Sequence, residues 1–235
     1  MNLINKNSKI LIIGDSWGRG EWLCQPRTQI YHPVHLGLES YLKEYGCDVN
    51  NLSQGGYSNS NIFNSLHDHM AINNSYDVII WFQTDPLRNL RPYADHTEIF
   101  KKNKEDFILA YDELLDSIYD KFDSLNLPIY CLGGATKLNL ALLEKYPNLH
   151  PVIPSIIEMF GESHIKVWPS DWIKDPQVLK SLSHPLADYL HSESEVNLSE
   201  EWFFPDGRHP NRKAHKKIFE YLINFKDPAV RGLPR

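Results

Sequence analysis

Three short apolar runs limit what this chain can fold into: ILII at 10–13, VIIWF at 78–82 and IYCL at 129–132. Unbroken apolar runs of this length suit strands buried on both faces, where in–out alternation disappears. Each run stops abruptly, at Gly14-Asp15-Ser16, at Gln83-Thr84-Asp85 and at Gly133-Gly134. Between them the apolar spacing changes to that of a helix. Leu38, Tyr41, Leu42 and Tyr45 share one face, and Gly46 follows as a stop. Ile62, Phe63, Leu66 and Met70 form a second stripe, with Ser58 or Ser60 as its cap. Phe107, Tyr111, Leu114, Ile118 and Phe122 mark a long helix over about 101–123. Ala214, Ile218, Tyr221, Leu222 and Phe225 mark the last one, with Pro210 near its first turn.

Strands alternating with helices imply βαβ units and a parallel sheet covered on both faces. The expected fold is therefore a three-layer α/β/α sandwich, flavodoxin-like, with about five parallel strands. Asp48–Leu52 supplies a weak second strand and Ile165–Trp168 a candidate fifth. Residues 18–33 read as an irregular loop carrying aromatics. Pro147, Pro151 and Pro154 break 135–163 into short helices, and Gln177–Leu190 reads as helical. One domain over 1–235 is expected, with insertions at about 86–128 and 135–205 forming a lid or wall.

A strand of this kind places reactive groups at its carboxyl end, and Ser16 stands there. A serine hydroxyl needs a base, and the base needs an orienting acid. Of 11 histidines, His209 has the right company, in FFPDGRHPNRKAH. Asp206 lies three residues earlier, so its carboxylate can reach Nδ1 and leave Nε2 for a serine. An oxyanion hole is also required. The Ser16 N–H, the glycines Gly55 and Gly56, and a side chain from Gln83 or Thr84 are the candidates.

These blocks, in this order, resemble the SGNH, or GDSL-type, serine hydrolases. GDS at 14–16 matches the nucleophile block, NLSQGGYS at 51–58 the second block, and DGRH at 206–209 the last. The resemblance implies Ser16 as nucleophile, Asp206 and His209 as acid and base, and Gly56 as an oxyanion donor. The third block departs: FQTD at 82–85 stands where the family has G-x-N-D. Thr84 takes the place of the asparagine, with Gln83 beside it. On a strand their side chains point to opposite faces, so only one can serve. Losing a donor of this kind costs about 3–4 kcal/mol.

The reading that follows is an esterase that passes through an acyl-enzyme and uses no metal or organic cofactor. Short acyl groups, including those on carbohydrate, are the implied substrates. An O-acyltransferase on the same fold and a binding protein that has lost activity are the alternatives. Trp17, beside the nucleophile, is expected to line the pocket, whereas Trp22, Trp168, Trp172 and Trp202 read as core or loop anchors. Asp85 and Arg88 read as a pair fixing the third loop, with Arg88 also a candidate for substrate binding. Asp15 reads as a structural hydrogen-bonding residue.

Other classes find little support. The net charge of −6 and the lack of a dense basic cluster argue against nucleic acid. No apolar segment approaches the roughly 20 residues of a membrane span, and the first residues do not form a signal peptide. Three widely spaced cysteines suit a reducing compartment, so a cytoplasmic enzyme is expected. His67-Asp68-His69 resembles a metal pair, but i and i+2 on a helix do not share a face. The glycines form neither a dinucleotide nor an NTP motif.

Overall fold

The computed structural model describes residues 4–25, 30–73, 75–84, 104–134, 137–160, 201–203 and 209–226. Five strands build the main sheet: β1 (Lys9–Ile13), β4 (Asp48–Asn51), β5 (Val78–Gln83), β6 (Ile129–Gly133) and β7 (Leu149–Ile153). All pair in parallel, in the order β4-β1-β5-β6-β7. Counted within the sheet, this is the 2-1-3-4-5 order of flavodoxin-like folds. Its crevice opens between the first and third strands, where the winding reverses. Here those strands are β1 and β5, with Ile13 opposite Trp81.

Alternation along the buried strands sorts the core into two halves. Ile10, Ile12, Ile80 and Phe82 face α2 (Leu38–Tyr45) and α7 (Arg212–Asn224), through Leu38, Leu42, Ile218 and Leu222. Leu11, Ile13, Ile79 and Trp81 face α3 (Asn59–Met70) and α4 (Lys104–Asp123), through Ile62, Leu66, Ile118 and Phe122. Trp81 stacks on Phe122 at 4.1 Å between centroids. Removing such a buried ring typically costs about 3–5 kcal/mol. The three-layer α/β/α sandwich of the sequence reading is therefore the observed fold.

Local signals hold where the sequence was specific. The α2 helix ends at Gly46, which is left-handed at φ 108°. Of the two serines offered as caps for α3, the structure uses Ser58. Its hydroxyl accepts from Asn61 N, and the Asn61 side chain accepts from Ser58 N. Asn211 caps α7 by accepting from Ala214 N at 3.0 Å, one residue after Pro210. Ala214, Ile218 and Leu222 face inward as expected, but Tyr221 stands outward.

Two expectations fail. The loop expected at 18–33 contains an antiparallel ribbon of β2 (Glu21–Gln25) and β3 (Ile30–His35). The fifth strand of the sheet is β7, within the stretch expected to be short helices, and it contains Pro151. Proline removes a ladder donor, and an edge strand tolerates that; β7 is an edge. Flanking β7, α5 (Leu140–Leu143) and α6 (Ile156–Met159) are indeed short. The strand expected at 165–168 and the helix at 177–190 lie outside the described residues, as do 86–103 and 161–200 of the expected lid or wall. Among the described residues no helix is long and apolar enough to cross a membrane.

Candidate active site

The chain leaves β1 at Gly14 and enters the single turn α1 (Ser16–Arg19). Two glycines lay this turn flat on its neighbours. A Cβ on Gly14 would come within 2.7 Å of Phe82 Cβ, and one on Gly18 within 2.4 Å of Ser53 Oγ. Asp15 caps the turn: its Oδ1 accepts from Trp17 N at 2.9 Å. Ser16, the first residue of the turn, is buried.

The base arrives from the other end of the chain. Phe203 and Pro210 form an antiparallel bridge, and Asn211 N donates to Trp202 O at 2.8 Å. Asn211 Nδ2 also donates to Glu201 O at 2.9 Å. These bonds hold the start of α7, and His209 just ahead of it, against the 201–203 segment. His209 Nε2 lies 2.8 Å from Ser16 Oγ, across 193 positions of sequence. This is the separation a nucleophile and its base require. The structure thus brings Ser16 and His209 together. Asp206 and Arg88 lie outside the described residues.

The third strand end is tied into its surroundings by its own side chains. Thr84 is buried, and its Oγ1 donates to Asp15 Oδ2 at 2.8 Å. The hydroxyl proton is thereby taken. Asn59, at the start of α3, grips the Thr84 backbone on both sides, accepting from its N–H at 3.2 Å and donating to its carbonyl at 3.0 Å. Gln83 points to the opposite helical layer, where its Oε1 accepts from Tyr119 Oη at 2.8 Å. Its Nε2 has no partner among the described residues. In this arrangement the Thr84 hydroxyl is engaged by Asp15 and the Gln83 carbonyl oxygen by Tyr119. The buried Asp15 carboxylate is satisfied in part by the Thr84 bond, as buried carboxylates require.

The two backbone candidates remain open. Among the described residues no hydrogen bond leaves the N–H of Ser16 or of Gly56. Gly56 is exposed on the loop after β4, with φ 79° and nothing within 4 Å of where its Cβ would be. Gln54 N, two residues earlier, donates to Gly14 O at 3.1 Å and ties this loop to the nucleophile turn.

Trp17 is 6% exposed. Its ring packs on Phe203 at 6.0 Å between centroids and lies beside Gly134. It belongs to the core beneath the site rather than to an open wall. The sequence reading missed Trp22, Asn59 and His215. The Trp22 indole donates to Ser16 O at 2.7 Å, and its ring lies 5.9 Å from that of His209. No spacing rule finds Asn59, because its grip on Thr84 exists only once α3 begins beside the end of β5. His215 is wholly buried under the site, close to Gly37 and Phe82. Burial pushes its imidazole down to about 4, the charges of His35 and His209 push the same way, and the Gly20 carbonyl offsets a part.

Among the described residues no group of three or more His, Cys, Asp or Glu could hold a metal ion. His69 instead meets Tyr76 Oη at 2.6 Å, and His67 points into solvent.

No protein-family model matches the chain, and no curated protein sequence matches it. It is similar to the solved structure of TesA, at 14% identity over 95% of this chain and 98% of that one, with a TM-score of 0.44. It is similar to the psychrotrophic esterase EstA from Pseudoalteromonas sp., at 12% identity over 93% and 96%, with a TM-score of 0.42. A catalytic mutant of an acetylxylan esterase from Geobacillus stearothermophilus gives 16% identity over 95% and 97%, with a TM-score of 0.41.

Proposed function

We propose that the chain is a serine esterase of the SGNH, or GDSL, type. The observation that carries this reading is the 2.8 Å contact between Ser16 Oγ and His209 Nε2 at the crevice of the sheet. Ser16 Oγ attacks the ester carbonyl carbon while His209 Nε2 takes its proton. The carbonyl oxygen becomes an oxyanion, and the N–H groups of Ser16 and Gly56 receive it. His209 then returns the proton to the alcohol oxygen as the C–O bond breaks, leaving an acyl group on Ser16. Water repeats the sequence: His209 takes one of its protons, the hydroxyl attacks the acyl carbon, and Ser16 is released with its proton restored.

Asp206, three residues before His209, is the orienting acid. Thr84 has a different role from the asparagine it replaces, holding Asp15 rather than the oxyanion. Substrates are small-molecule esters with short acyl groups, including those carried on carbohydrate, and the enzyme works in the cytoplasm. With only backbone donors at the oxyanion, activated esters turn over faster than unactivated ones by a wider margin than in a three-donor site.

Fluorophosphonate labelling with mass-spectrometric location of the adduct tests this reading. An adduct on Ser16 that disappears in Ser16→Ala is expected. An adduct elsewhere, or none, overturns it.

A further inference from the structure

We propose that Trp22 is a positioning residue that holds the nucleophile, the base and the oxyanion loop in register; the proposal rests on the esterase reading above. One indole touches all three parts. Its N–H donates to Ser16 O at 2.7 Å, a short bond for an N–H donor. Its ring lies 5.9 Å from the His209 ring, tilted by 38°. Its Cη2 lies 3.5 Å from where a Cβ on Gly55 would be, next to Gly56.

The three parts need such a tie because none is fixed by its own element. The α1 helix is one turn of four residues, too short to support itself. His209 sits outside α7, on a turn. Gly55 and Gly56 occupy an exposed loop. Trp22, by contrast, stands on a paired strand, opposite Pro33. Its neighbour Glu21 anchors that strand to the helix behind His209. Glu21 Oε1 accepts from Arg212 N at 3.2 Å, and Oε2 from Arg212 Nε and Nη2 at 3.1 and 2.9 Å.

Successive strand residues normally face opposite ways. Between Glu21, opposite His35, and Trp22, opposite Pro33, the register shifts by one residue, with Val34 the extra residue on β3; such an irregularity increases the local twist of the ribbon. Both residues engage the His209 segment, Glu21 at α7 and Trp22 beside the imidazole. When His209 takes the serine proton, the indole is also within the roughly 6 Å at which an aromatic face attracts a cation.

The test compares Trp22→Leu and Trp22→Phe with the unaltered chain. It measures kcat and KM for p-nitrophenyl acetate, the rate of fluorophosphonate addition to Ser16, and thermal melting. In Trp22→Leu, kcat and the labelling rate fall together by about 30- to 100-fold while KM stays within twofold, as expected for lost alignment. In Trp22→Phe the ring on His209 remains and only the indole donor is lost, so both fall by about three- to tenfold. An unchanged kcat in either variant overturns the proposal, as does a rise in KM alone.

A structural role would lower the melting temperature and leave kcat per labelled site intact, which also overturns it. Should Trp22→Leu fail to fold, Trp22→Phe decides by the same criteria. The His209 imidazole C–H resonances, identified by their loss in His209→Gln, give a readout independent of turnover. They shift when the Trp22 ring current is removed, and an unmoved signal in a folded Trp22 variant overturns the proposal. If the unaltered chain forms no Ser16 adduct and turns nothing over, the esterase reading falls. The His209 resonances then still decide whether Trp22 holds that ring.

Discussion

Two strand ends stand side by side at the crevice: Ile13-Gly14-Asp15-Ser16 after β1 and Phe82-Gln83-Thr84 after β5. Both strands carry an unbroken, buried apolar run, Ile10–Ile13 and Val78–Phe82, and both ends carry a hydroxyl. After β1 the hydroxyl meets an imidazole at 2.8 Å. After β5 it meets a carboxylate, Asp15, at the same distance. The backbone places both serine and threonine on the rim, and the partner in reach decides what each can do. One end is arranged to react and the other to hold it in place, with Asp15 as the link.

Exchanging the hydroxyls one at a time breaks this comparison most directly. Ser16→Ala is expected to cut kcat by about 10⁴-fold or more, as removal of a serine nucleophile does. Steady-state turnover of p-nitrophenyl acetate by the folded variant checks it, and residual turnover above about 1% would assign the chemistry elsewhere.

The support beneath the two ends gives the next largest effect. His215 is neutral in its buried site and held down to about 4, against about 6.5 when unfolded. The unfolded chain therefore binds a proton that the folded chain refuses. The contribution is complete above pH 6.5, drains away as pH falls toward 4, and amounts to about 3 kcal/mol. His215→Phe should flatten the stability curve between pH 6.5 and 4, measured by urea unfolding at fixed pH steps, with little change at pH 7. An unchanged slope would mean that the ring is not buried in its neutral form.

Thr84→Val keeps the shape and deletes the bond to Asp15. A loss of about 1–3 kcal/mol in stability is expected, since a buried carboxylate oxygen loses its partner. A modest fall in kcat should accompany it. Thr84→Ser should restore both, measured by thermal melting and turnover together. If Thr84→Val lost activity alone with no cost in stability, Thr84 would be an oxyanion donor after all, and the contrast with Ser16 would weaken.

Gln83→Leu gives the smallest effect. The side chain faces the α4 layer, so kcat should stay within twofold. A loss greater than tenfold in kcat would place its amide at the oxyanion.

The parts of the fold readable in the sequence were those whose signal is one of burial. The central strands β1, β5 and β6 carry unbroken apolar runs because helices cover both faces. The misread strands, β2, β3 and β7, are all edges, and two of them contain a proline, Pro33 and Pro151. An edge needs neither a full ladder of donors nor two apolar faces, so it leaves little imprint on composition. The same logic applies to the site. Ser16 and His209 sit in short motifs and could be paired from those motifs, their place on one rim of the sheet and the family resemblance they carry. Gln83 and Thr84 could be placed on the rim but not assigned, since their use depends on Asp15, Asn59 and Tyr119 arriving from other elements. Trp22 was visible as an aromatic near the nucleophile, and the ribbon that carries it was not.

The distance along the chain between Ser16 and His209 has a consequence for biosynthesis. The nucleophile leaves the ribosome 193 positions ahead of its base. At ordinary elongation rates that is an interval of about 10–40 s. Throughout it the serine is an ordinary alcohol, and no partly made chain can acylate itself on the esters around it. Docking of α7, held to β2 by Glu21 and Arg212, is what brings His209 to Ser16.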